Sequence, residues 1–220
     1  MGAVTERSGG TGRLIVLDFD GVLLDTERTS RAVWHRLLRD KAVELPRGIS
    51  VRPDRTLDRD MLRRDLLDTV GRHRAQALWD EFERLNRAEA DLLDAGAGVR
   101  PFLAHCRERG HRLAVASGNC RDWVESHLER LGIRSAFRSV HCAGPGVRTK
   151  PAPDTYLRAL RACLTDPHQA LAVEDSYTGL AAARAAGLDA VWVTDAPDSA
   201  VPPGPVARRV RTLDELIGVL

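Results

Sequence analysis

Apolar residues recur along this chain of 220 residues in two rhythms. The first is a short unbroken run: "LIVLD" from Leu14, "RLAVAS" at 112–117, "ALAVED" at 170–175, "AVWVT" at 190–194, and a weaker "FRSVHC" at 137–142. Runs of this length, rich in β-branched residues, predict strands buried on both faces. Between them the apolar positions fall three or four apart, as at Val124, Leu128 and Leu131 or at Tyr156, Leu157 and Leu160. Gly110, Gly132 and Gly187 close several of these segments, as glycine does after a helix. Strands alternating with such helices predict an α/β fold with a doubly wound parallel sheet.

Residues 26–95 break the alternation, with helical spacing but no strand pattern. Val33, Trp34, Leu37 and Leu38 trace one stripe, and Leu78, Phe82, Leu85 and Leu92 another. "ELPRGISVRPDRT", with two prolines and a glycine, interrupts them as a loop. The expected organisation is a flexible tail over 1–12, a core of 13–25 and 96–220, and an all-helical insertion over 26–95.

Composition narrows the function classes. With 33 basic residues interleaved among 31 acidic ones and a net charge of +2, the charges read as solvated helix faces, not a nucleic-acid track. No apolar run approaches the length of a membrane span, and the N-terminus lacks a signal-peptide core. Cys106, Cys120, Cys142 and Cys163 form no CxxC pair or zinc spacing, which fits idle thiols in the cytoplasm. Only Lys41 and Lys150 among the 33 basic residues are lysine, so "VRTKPAPD" at 147–154 departs from the habit of the chain.

In an open parallel sheet, ligands bind beyond the carboxyl ends of the strands. Asp18 and Asp20, Ser117, and Glu174 with Asp175 stand at those ends. The period of two sends the Asp18 and Asp20 carboxylates to one side. Adjacent carboxylates repel unless a cation intervenes, and an all-oxygen shell suits Mg²⁺. On these residues alone, several enzymes and a plain metal site remain open.

"DFDGVLLDT", "VASGN", "TKPAPDTY" and "VEDSYTGLAAARAAG", taken in order over about residues 13–195, resemble the four motifs of the haloacid dehalogenase-like hydrolases. That resemblance implies a Rossmann-like core with a helical cap. It casts Asp18 as the nucleophile forming an aspartyl-phosphate and Asp20 as the general acid and base. Ser117, with the backbone of Gly118 and Asn119, and Lys150 would hold the phosphoryl group. Asp18, the Asp20 carbonyl, Glu174 and Asp175 would hold Mg²⁺. The expected substrate is a small phosphorylated metabolite, with neither nucleic acid nor membrane as partner, for a monomer or homodimer.

Three alternatives are weighed against a phosphatase. A sugar phosphomutase of the β-phosphoglucomutase type carries a hinge histidine five residues after the aspartate matching Asp25, where this chain has Ser30. Dehalogenases and phosphonate hydrolases of the superfamily typically lack the second aspartate, which is present as Asp20. A non-catalytic phospho-ligand binding protein would be expected to have lost one of Asp18, Asp20, Lys150 or Asp175. Arg47, Arg52 and Arg55 are candidates to meet a second anionic group, with surface arginine the plainer reading. Trp123 and Trp192 read as core residues, and the seven histidines as surface or satisfied core.

Overall fold

A computed structural model describes residues 12–220, so the first eleven residues of the expected tail lie outside it. Six parallel strands form its centre: β1 (Leu14–Leu17), β2 (Arg112–Ser117), β3 (Ser139–Cys142), β4 (Ala170–Glu174), β5 (Asp189–Val193) and β6 (Arg208–Val210), in the order β3-β2-β1-β4-β5-β6. The five apolar runs correspond to β1–β5. β6 escapes the pattern because it has three residues, two of them arginine, and pairs only along one edge.

Helices cover both faces. Ile15 and Leu17 meet α3 (Val99–Glu108) and α4 (Arg121–Arg130) through Phe102, Cys106, Val124 and Leu128. Leu14 and Val16 meet α5 (Asp154–Ala162) and α6 (Tyr177–Ala185) through Tyr156, Leu160, Leu180 and Ala183. The second face is lined with small side chains, Ala114, Ala116, Ala170, Ala172 and Ala190. The four cysteines are free, with only Cys120 exposed.

Between β1 and β2 lie α1 (Thr26–Asp40) and α2 (Arg59–Ala90). Asp25 and Asp58 cap them by accepting the Arg28 and Met61 amides. α2 breaks at Gly71, whose φ of 75° is left-handed, so residues 59–90 fold as two helical arms. Trp34 stacks on Phe82 at 4.3 Å and tilts against Trp79 at 5.3 Å, within a cluster separate from the two sheet faces. Leu92 does not join its expected stripe: α2 ends at Ala90, and the side chain is 84% exposed in the following turn. No helix of the described residues is long and apolar enough to cross a membrane.

Trp34 is fully buried at the centre of the aromatic trio. Trp34→Ala should therefore cost about 3–5 kcal/mol, measured as a fall in the urea midpoint. A change under about 1 kcal/mol would show that the trio does not hold the two helices together.

Candidate functional site

β1 ends at Leu17, but its pairing continues: the Asp18 amide donates to the Val173 carbonyl at 2.9 Å. The chain then turns sharply, with the Leu23 and Leu24 amides donating to the Phe19 carbonyl and the Gly21 amide to that of Leu24. This turn sets Asp18 and Asp20 beside a cavity of about 730 Å³ between the sheet ends and α1/α2. Asp18, Asp20, Gly118, Asn119, Lys150 and Asp175 line it from the sheet side, and Arg52, Arg59, Asp60, Glu83, Asn86 and Arg87 from the other. Ser117 and Glu174 are fully buried and are not among the lining residues. The Ser117 hydroxyl accepts the Asn119 amide at 3.0 Å.

The two aspartates have different surroundings. Lys150 Nζ lies 2.8 Å from Asp18 Oδ1 and 2.5 Å from Glu174 Oε1, with its side chain only 7% exposed. Burial alone would depress that ammonium, but Asp18 and Glu174 beside it raise it above the ordinary lysine range. Asp20 has neutral donors instead: Thr26 Oγ1 at 2.9 Å and Trp123 Nε1 at 3.1 Å to one oxygen, and Asn119 Nδ2 at 3.4 Å to the other. Burial first, and then repulsion from Asp18, push its pKa up to about 6 against those donors.

Carboxylate oxygens of Asp18, Glu174 and Asp175 lie within 4.8 Å of one another. Burial and the neighbouring Asp18 charge raise Glu174 to about 8 and lift Asp175 well above the usual range. Tyr156 donates its hydroxyl to Glu174 Oε1, while Oε2 is buried with no hydrogen-bond partner. Three converging carboxylates, with an orphaned oxygen and one ammonium to balance them, fit a hard divalent cation.

Close approach is made possible by two glycines. A Cβ at Gly21, whose φ is +77°, would stand 1.9 Å from Asp175 Oδ2, and one at Gly179 would stand 1.8 Å from Glu174 Oε2. Neither glycine stands out in the sequence, because Gly21 is crowded by Asp175 from the distant end of β4 and Gly179 by Glu174 only through the fold-back of the turn between β4 and α6. Trp123 is buried as expected, yet it also serves the site through its bond to Asp20. Trp192 likewise donates Nε1 to the Asp175 carbonyl at 2.8 Å.

The candidate arginines separate. Arg52 fronts the cavity, Arg55 pairs with Asp195 at 3.0 Å, and the nearest polar contact of Arg47 is the Met61 sulfur at 3.8 Å. Arg59 and Arg87, not singled out by the loop composition, line the cavity as well. The histidines depart from expectation in one respect: His127 and His141 each keep a buried Nε2 without a partner. His127 packs edge-on against Trp123 at 4.5 Å.

Comparison with protein families matches residues 15–193 to "Haloacid dehalogenase-like hydrolase". The chain is 30% identical to the fructose-1-phosphate phosphatase YqaB of Escherichia coli, over 81% of this chain and 95% of that protein. It is 28% identical to the validoxylamine A 7'-phosphate phosphatase of Streptomyces hygroscopicus subsp. limoneus, over 85% and 88%. Among solved structures, CbbY from Rhodobacter sphaeroides in complex with phosphate matches with a TM-score of 0.63 and 25% identity, over 93% of this chain and 96% of that one.

Replacing a helical glycine by alanine ordinarily stabilises by about 1 kcal/mol. At Gly179 the sign should reverse, because the new methyl meets the buried Glu174 carboxylate. Gly179→Ala is expected to destabilise by about 1–3 kcal/mol in urea denaturation. An unchanged or raised midpoint would refute the close packing described.

Proposed function

This chain belongs to the haloacid dehalogenase-like hydrolase family, and on that premise we propose that it is a Mg²⁺-dependent phosphatase hydrolysing a small phosphorylated metabolite through an aspartyl-phosphate on Asp18. The observation that carries this reading is the unequal treatment of the two aspartates. Asp18 is paired with an ammonium, whereas Asp20 is held by three neutral donors. A carboxylate that faces the cavity beside a cation suits a nucleophile. A buried carboxyl with neutral donors suits proton transfer.

In the first step an Asp18 oxygen attacks phosphorus, the bond from phosphorus to the ester oxygen breaks, and Asp20 gives its proton to the departing oxygen. In the second, Asp20 takes a proton from water as the water oxygen attacks phosphorus. The phosphorus–Asp18 bond breaks, and inorganic phosphate leaves. Lys150 lowers the repulsion between Asp18 and the phosphoryl oxygens and meets the charge that spreads over them. Gly118 and Asn119 line the cavity in the turn between β2 and α4, and Ser117 lies behind them with its hydroxyl accepting the Asn119 amide, so this turn is the part of the site that would receive the phosphoryl group.

Asp18, Glu174 and Asp175, with the Asp20 carbonyl, are the residues that would hold Mg²⁺. When bound, the ion neutralises the carboxylates and polarises the phosphoryl oxygens. Residues 26–95 act as a cap that screens the reaction from bulk water, over a core of 13–25 and 96–220. Arg52, Arg59 and Arg87 on the cap side supply positive charge toward an anionic substrate. Two named phosphatases among the relatives support this class of substrate. Four free cysteines accord with a reducing compartment such as the cytoplasm.

Hydrolysis is favoured over a mutase. Ser30 donates its hydroxyl to Asn86 Oδ1 at 3.0 Å, so the hinge position offers a buried neutral pair and no titratable side chain where a mutase of this type has histidine.

Purified protein with Mg²⁺ should release phosphate from members of a sugar-phosphate and metabolite panel, and a chelator should stop it. Asp18→Asn should reduce release roughly ten-thousandfold. Lys150→Arg keeps the charge but brings a planar fork into a space 7% exposed, and should lose roughly a hundredfold in kcat. Release by Asp18→Asn at the parent rate would overturn the mechanism. Full activity of Lys150→Arg would overturn the role given to the lysine.

A further inference from the structure

Residues 51–57 of the interhelical segment form a tight hairpin-like loop. Val51 bridges Leu57, the Arg52 amide donates to the Thr56 carbonyl at 2.8 Å, and the Arg55 amide donates to the Arg52 carbonyl at 2.9 Å. Glu27 of α1 ties the loop down by accepting the Leu57 amide at 2.9 Å. Asp54 sits at the tip and is only 4% exposed. One of its oxygens accepts the amide and the hydroxyl of Thr56, at 3.0 and 2.7 Å. The other reaches 123 positions along the chain to accept the Tyr177 amide at 2.7 Å.

Tyr177 is the first residue of α6 and stands two places after Asp175. Ser176 caps that helix by accepting the Gly179 amide at 3.1 Å, which leaves the Tyr177 amide for Asp54. The same loop also touches the sheet side through Arg55 and Asp195, but that pair is half-exposed or more and such pairs contribute little. A buried carboxylate bonded to a helix amino end contributes more, because the bond is charge-assisted and shielded from water. Asp54 is thus the strongest link between the loop and the turn that carries Asp175.

We infer that Asp54 is a positioning residue, joining the cap loop to the amino end of α6 so that docking of the loop and placement of Asp175 occur together. The inference rests on the phosphatase reading for its effect on turnover, though not for the contact itself. An asparagine cannot replace it fully. Each carboxylate oxygen accepts an N–H from a different segment, and an amide nitrogen turned toward either one would set donor against donor.

The partner can be removed without breaking the helix. Proline is favoured at the first helical position, and Ser176 before it, at φ −110° and ψ 150°, already has the extended backbone a following proline requires. Tyr177→Pro deletes the donor, while Tyr177→Ala keeps the donor and deletes the ring. Asp54→Ala is combined with each and assayed on p-nitrophenyl phosphate, alongside hydrogen exchange of amides 175–179.

In the Tyr177→Ala background, Asp54→Ala should lower kcat roughly tenfold with a smaller change in KM; in the Tyr177→Pro background it should lower kcat no further. With the native tyrosine, Asp54→Ala should speed exchange of the Tyr177 amide at least tenfold, roughly the effect of losing one buried charge-assisted bond. An equal kcat loss in both backgrounds, or Tyr177 exchange unchanged by Asp54→Ala, would overturn the inference. If the parent hydrolyses no phosphate ester, the phosphatase reading falls, and the exchange measurement alone decides the Asp54 contact.

Discussion

The site depends on one ammonium. Asp18, Glu174 and Asp175 converge within 4.8 Å, the first two buried, and Lys150 is the cation that bonds two of the three. Removing one partner from such a buried pair leaves an uncompensated charge at a cost of about 3–5 kcal/mol. A chain that otherwise favours arginine so heavily has lysine here because a compact ammonium can meet Asp18 and Glu174 within a space that leaves it 7% exposed.

The rest of the architecture keeps that balance in register. β1 and β4 are neighbours, so the carboxylates at their ends converge without any long loop. Gly21 and Gly179 let backbone approach the acids where a methyl group would collide. Trp192 holds the Asp175 carbonyl from β5, and Trp123 holds Asp20 from α4, so both indoles act as hydrogen-bond donors as well as core. Asp20 draws its remaining donors from α1 and from the turn after β2. One carboxyl therefore senses elements on both sides of the cavity.

Much of this was legible in the sequence, for reasons that also mark where reading fails. β1 to β5 are unbroken apolar runs with Asp18, Asp20 and Asp175 at their ends, so local pattern carried the fold and the acidic cluster, while the roles expected of these residues and of Lys150 came from the resemblance to the haloacid dehalogenase-like motifs. β6 has too few residues to show a period. Leu92 kept the spacing of a stripe, but the helix had already ended, and spacing does not encode a boundary. Asp54, Tyr156 and Trp123 gain their meaning from partners 18 to 123 positions away, and Gly179 from the fold-back of the turn after β4. Composition could suggest Arg47, Arg52 and Arg55 equally; only folding shows that Arg52 alone among them faces the main cavity.

The alanine-lined face of the sheet carries an evolutionary implication. Ala114, Ala116, Ala170, Ala172 and Ala190 let α5 and α6 lie close to the strands, and those helices begin just after Lys150 and Asp175. An added methylene on this face would push a helix outward and carry Lys150 or Asp175 with it, since close-packed interiors transmit displacement rather than absorb it. The opposite face, packed with leucine, valine and phenylalanine against α3 and α4, has larger side chains able to exchange volume among themselves. Descendants of this chain should therefore accept volume-conserving exchanges on the α3/α4 face, Trp123 and the turn after β1 apart, more readily than any enlargement on the alanine-lined one.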